Sequence, residues 1–136
     1  MNTVYKILFR HNRKLHSMIK YYTCQYDPSD FKFVQRYFTN RTNYPKYGKL
    51  FAFNSLVSAQ TYKDSFTYGE NLVIAKATTT KITTPQELGT RNIPYYSEQT
   101  KGIANFWSNP KQCFSFNTIP DNTVFCDDLT IQEILN

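Results

Sequence analysis

Val4, Tyr5, Ile7, Leu8 and Phe9 crowd five apolar or aromatic side chains into residues 3–9. A run this rich in β-branched and aromatic residues reads as a strand buried on both faces or nearly so. His11-Asn12-Arg13-Lys14 then offers a polar turn, and Leu15 to Thr23 reads as a second strand closing a hairpin. Asp27-Pro28-Ser29-Asp30 is a turn by composition. Phe31 to Phe38 suits a third strand, although Phe31, Val34 and Phe38 also fit helical spacing.

A clear local unit follows. Lys49-Leu-Phe-Ala-Phe reads as a short buried strand, and Asn54 or Ser55 as a helix N-cap. Leu56, Ala59 and Tyr62 recur at helical spacing, which predicts a helix over residues 55–64. Leu72 to Ala75 reads as another buried strand, and the Thr-rich stretch to Thr84 as extended chain. Pro85 suits the first position of a short helical turn ending at Gly89. Residues 90–121 form a long irregular segment with a helix expected near Gln99–Trp107. Thr123 to Cys126 and Leu129 to Leu135 complete the pattern as strands around an Asp127-Asp128 turn. The expectation is one α+β domain: a mostly antiparallel sheet of about five to seven strands with one or two helices.

Charge is divided along the chain. Residues 1–50 carry ten Lys/Arg against Asp27 and Asp30, a balance of +8, whereas residues 51–136 carry a balance of −2. The bases that define a candidate binding face are Arg10, Arg13, Lys14, Lys20, Lys32, Arg36, Arg41, Lys46 and Lys49, with Tyr47 among them. Lys6, Tyr5, Phe9, Tyr21, Tyr22, Phe33, Tyr37 and Tyr44 interleave with that set. Cations mixed with rings can neutralise phosphates and stack bases. The same residues also fit a core of rings with lysines on its solvated outer face. The asymmetry equally permits self-assembly, one copy's basic end meeting another's acidic end.

Other chemistry has thin support. His11 and His16 flank the hairpin turn with no evident acid–base partner. Cys24, Cys113 and Cys126 are scattered, lack zinc-ligand spacing and suit reduced thiols. Asp121, Asp127 and Asp128 supply oxygen ligands, but turn chemistry alone accounts for them. Asn40-Arg41-Thr42 matches a glycosylation sequon by chance. No apolar run approaches membrane-spanning length, and the opening residues lack a signal peptide's pattern, so an intracellular or virion location is expected without a membrane partner.

Two stretches, Gly48-Lys-Leu-Phe-Ala-Phe-Asn-Ser-Leu-Val-Ser-Ala and Asn122-Thr-Val-Phe-Cys-Asp-Asp, together resemble small uncharacterised proteins encoded by phages and large DNA viruses. That resemblance implies a virion component or a host-factor binder. A second likeness is to the ADP-ribosyltransferase fold. Arg10 or His11 on an early strand, then Asn54-Ser55 entering a helix, follow a comparable order, and Glu98 or Glu133 stands where a catalytic glutamate would be sought. It implies NAD as cofactor, with Arg10, His11, Ser55 and Glu133 as the site. The Ser-Thr-Ser and Gln/Glu-x-Glu motifs of that fold are absent.

Overall fold

The computed structural model describes residues 1–18, 35–46, 48–66, 71–90, 106–109, 111 and 118–135. Eight antiparallel strands form one sheet: β1 (Asn2–His11), β2 (Lys14–Ser17), β3 (Arg36–Tyr37), β4 (Leu50–Phe53), β5 (Leu72–Thr79), β6 (Ile82–Thr83), β7 (Thr123–Cys126) and β8 (Thr130–Leu135). Helices α1 (Leu56–Asp64) and α2 (Pro85–Leu88) join them, and residues 106–108 make a further helical turn. The class is α+β, as the patterning predicts. The strand count exceeds expectation by β6, which at two residues is too short to leave a periodic signal, whereas β3 falls within the strand expected over Phe31 to Phe38. Of the expected helix near Gln99–Trp107, residues 99–105 lie outside the described residues, as do those expected for strands beyond Met18 and before Gln35.

β1 is the hub. Along one edge it pairs with β5 from Asn2↔Thr79 to Phe9↔Leu72. Along the other it pairs with β2 at residues 8–11 and with β4 at Tyr5↔Phe53. Val4 and Leu8 point into the main apolar cluster, beside Leu50, Val73, Val124 and Leu129. Ile7 and Phe9 point to the opposite face, where Phe53, Leu72, Ile74 and Ala59 of α1 pack. The strand predicted to be buried on both faces is so because β5 alternates in the same way.

The sheet is strongly curled. β5 runs into β6 through Thr80 and Lys81 alone, three Cα steps that span at most about 11 Å. Yet β5 flanks β1 on one side, while β6 ends the path β1-β4-β7-β6 on the other. Those margins must therefore approach each other around the main cluster. Asp128 fastens them: its carboxylate accepts from the Thr80 N–H at 2.8 Å, the Thr80 hydroxyl at 2.6 Å and the Thr79 hydroxyl at 3.1 Å. Burial raises the Asp128 pKa, but these three bonds outweigh it and hold the carboxyl below its usual value.

Local signals set the helices. Ser55, extended at φ −134°, caps α1 by accepting from the Ser58 N–H at 3.3 Å. A nine-residue helix is marginal alone. It is held by Ala59, fully buried, with Leu56 and Tyr62 packed on the outer face of β1 and β5. Thr84 and Glu87 close a reciprocal capping box on α2, Pro85 occupies its first turn, and Gly89 ends it at φ +69°.

On the outer face of β4 and β7, Phe51, Phe106, Trp107 and Phe125 form one aromatic cluster with centroids 4.8–5.9 Å apart. Trp107 closes over Gly48, where a Cβ would lie 2.3 Å from the indole on a backbone at φ +63°. Gly48→Ala therefore meets both left-handed strain and a clash. It is expected to cost about 2–4 kcal/mol, read by urea denaturation with Trp107, the sole tryptophan, as the emission probe.

Candidate functional site

The three-stranded end of the sheet, β1-β2-β3, carries Arg10, Arg13, Lys14 and Arg36 as exposed cations. Asn12 and Arg13 form the β1–β2 turn with φ of 51° and 63°. Such a turn matches strand twist but favours Asn-Gly. Here arginine occupies the glycine position. Register then sets a row across three strands: Phe9 opposite His16, and His16 opposite Arg36. His11 pairs with Lys14 on that same face, and the His11 ring stacks on Phe9 at 5.9 Å and 13°. Arg36, Lys14 and His11 are exposed, and His16 is half-buried.

Two residues beyond Arg36, Phe38 receives two guanidiniums. The Arg36 Cζ lies 4.6 Å from the ring centroid and the Arg41 Cζ 3.8 Å. The two carbons are thus within about 8.4 Å of each other. Like charges at that separation repel by about 0.5 kcal/mol in water, which the ring contacts, roughly 0.5–1 kcal/mol each, offset. Neither guanidinium has a carboxylate partner among the described residues.

The loop that carries Arg41 is held by two buried amides. The Asn43 side chain accepts from the Phe38 N–H at 2.8 Å and donates to the carbonyls of Phe38 and Leu129 at 2.9 and 3.1 Å. Its backbone bridges to Leu129 in both directions. Gln35 donates from Nε2 to the Tyr44 carbonyl at 2.6 Å, and its Oε1 accepts from the Lys46 N–H at 3.1 Å. Pro45 restricts its own φ and keeps Tyr44 extended. Tyr44 and Lys46 are consequently exposed side chains on a fixed backbone. The Asn43 and Gln35 clasps were not evident from residue type, because both sit in a stretch whose composition reads as ordinary loop.

Other members of the predicted face are placed differently. Arg10, opposite Leu15, and Arg13 are exposed at the hairpin end. Lys49 is taken up by an ion pair with Asp127. Lys20, Lys32 and Tyr47 lie outside the described residues.

Lys6 corrects the sequence reading: it belongs to the interior, not to the basic face. It shares the inner side of β1 with Val4 and Leu8, opposite Ala75, whose small side chain leaves room for the lysine stem. Its Nζ donates to the Phe51 carbonyl at 2.5 Å and lies 5.7 Å from the Tyr37 ring centroid. Burial pulls its pKa down to about 8, against an opposing pull from Cys126. Burial likewise drives the Cys126 thiol up to about 11 and the Tyr37 phenol above its usual value. Alternation from Val4 to Leu8 is the signal that places Lys6 inward.

The residues of the NAD-using alternative are spread over the sheet. Glu133 pairs with Lys76, which pairs with Tyr5, so it sits two strands from β1 at the level of Tyr5. Arg10 and His11 lie at the far end of β1, roughly 16 Å or more along the strand from Tyr5. The Ser55 hydroxyl is engaged in capping α1. Among the described residues, no three metal-binding side chains cluster, and no helix is long and apolar enough to cross a membrane.

Lys6 makes stability depend on pH. Its folded pKa of about 8 lies below the unfolded 10.5, so the unfolded chain binds more protons between those values. Its destabilising share shrinks as pH rises, by about 1 kcal/mol between pH 7 and 9. Above pH 9 the raised Cys126 and Tyr37 act in the opposite sense. Denaturation at stepped pH should show wild-type stability gaining on Lys6→Met from pH 7 to 9. Parallel curves would count against a desolvated amine.

No protein-family model, curated protein or solved structure matches the chain, so its function has to be read from its own residues.

Proposed function

We propose that this chain is a binding protein that docks an anionic partner on the His11–Lys14–Arg36–Phe38–Arg41 face. The observation that carries this reading is the Arg36–Phe38–Arg41 stack: two exposed guanidiniums held on one ring with no carboxylate among the described residues. Guanidiniums already oriented by a ring lose less freedom when they grip an anion. A virion component or a host-factor binder, inside the host cell or in the particle, is the setting that the likeness to virus-encoded proteins implies. An acidic protein surface, a second copy's carboxylate-rich later half, and a phosphate chain all meet the chemistry. The NAD-using alternative has no convergence of its residues in its favour.

The hairpin turn supports the same reading. Arg13 at φ 63° stands where glycine would be strain-free. Strain of this kind persists where it has a use. Arg13→Gly is expected to raise stability by about 0.5–1 kcal/mol while weakening binding to a polyanion. A glycine variant that binds as well as wild type would leave Arg13 without a role.

The direct test is retention on a polyanionic matrix such as heparin across a salt series. Wild type should bind at low salt and elute progressively. The Arg36→Ala/Arg41→Ala pair should elute at lower salt, whereas Lys63→Ala, on the helix, should not. Absence of wild-type binding at low salt would overturn the reading.

A further inference from the structure

We infer that the anionic partner is a single-stranded nucleic acid, gripped at its phosphates by Arg36 and Arg41 and stacked by a base on Tyr44; this rests on the anion-docking reading above. Tyr44 is 66 % exposed, the only Phe, Tyr or Trp ring so open to solvent among the described residues. Its side chain makes no hydrogen bond or ring contact among them. This is not a loose side chain on a slack loop. The Tyr44 carbonyl is fixed by Gln35, Pro45 follows it, and Asn43 before it clasps Phe38. A large ring is therefore held in water on the same clasped loop as Arg41, three residues further along the chain.

An acidic protein surface would use the arginines but has no need of the ring. A nucleic-acid chain uses both, since phosphates alternate with flat bases whose faces stack on aromatic side chains regardless of sequence. Phosphate matches the arginine spacing as well. Guanidinium carbons within about 8.4 Å can approach one phosphate or two successive ones. Duplex DNA fits less well. Reading its major groove calls for a basic helix or ribbon: α1 carries Lys63 as its only base, and docking the basic β1–β2 hairpin there would leave Tyr44 unused. Rings inside an intact duplex are stacked already, so Tyr44 would have no base face to meet.

The test is fluorescence anisotropy with a labelled oligothymidine of about 20 nucleotides, a duplex of equal length, and labelled polyglutamate, each over a salt series. The single strand should bind tightest, with affinity falling log-linearly with salt at about 0.7 per neutralised phosphate. The Arg36→Ala/Arg41→Ala pair should reduce that slope by about 1.4. Tyr44→Ala should weaken binding roughly 5- to 100-fold with the slope kept, and Tyr44→Phe should restore it. Because Tyr44 is exposed, unchanged Trp107 emission is the check that the variants are folded. If duplex or polyglutamate binds as tightly, or if Tyr44→Ala binds like wild type, the nucleic-acid assignment falls while anion docking stands. If none of the three probes binds at low salt, both fall.

Discussion

Everything in this fold hangs on β1 being covered on both faces. Its inner residues fill the curl of the sheet and its outer residues seat α1, so neither layer can form without it. The same alternation fixes register. A slip of one residue would turn Ile7 and Phe9 into the curl and push Val4, Lys6 and Leu8 toward the helix. Lys6 sharpens that penalty. Its stem lies opposite the small Ala75, and its amine reaches the Phe51 carbonyl from the inner side. A buried amine destabilises the native state, yet it destabilises a slipped state more, since there it would be buried without its acceptor.

Two buried polar residues then turn a curled sheet into a fixed platform. Asp128 joins the β7–β8 turn to the β5–β6 turn, and Asn43 joins the loop after β3 to Leu129, the neighbour of Asp128. The loop bearing Arg41 and Tyr44 is thereby tied to the point where the sheet closes. A loop held in this way can present exposed side chains with little ordering left to lose on binding. Each clasp uses several acceptors or donors of one side chain, and hydrogen bonds to buried groups are worth most when none is left unmade.

The sequence was most legible where local chemistry decides structure. Thr84, Pro85, Glu87 and Gly89 announce α2, Ser55 announces α1, and Val4 to Phe9 announce the hub strand, because caps, turns and alternation act within a few residues. Legibility failed where partners are distant. Asn43 reads as a loop residue until Leu129 is beside it, 86 positions on. Lys6 reads as one more surface base until Phe51 and Ala75 are placed. β6 exists through its neighbour β7, not through any pattern of its own. Of the candidate face, composition found the arginines but not their convergence on Phe38, which depends on a turn closed by Asn43.

The division of charge takes on a narrower meaning in three dimensions. Lys6 is removed from the basic balance by burial and Lys49 by Asp127, so the excess that meets solvent among the described residues of that half gathers at the β1–β2–β3 end. Sheet ends often carry cations simply to keep strange strands from adding on. That need is met by any lysine at the edge of β3 and asks nothing of geometry. It does not account for two arginines drawn onto one phenyl ring, for an arginine kept at a left-handed turn position, or for a tyrosine held in water by a clasped backbone. The arginine at the left-handed turn position costs folding stability, and the exposed tyrosine forgoes the gain that burial would bring. The occurrence of all three within residues 13–44 is the ground on which the proposed recognition surface rests.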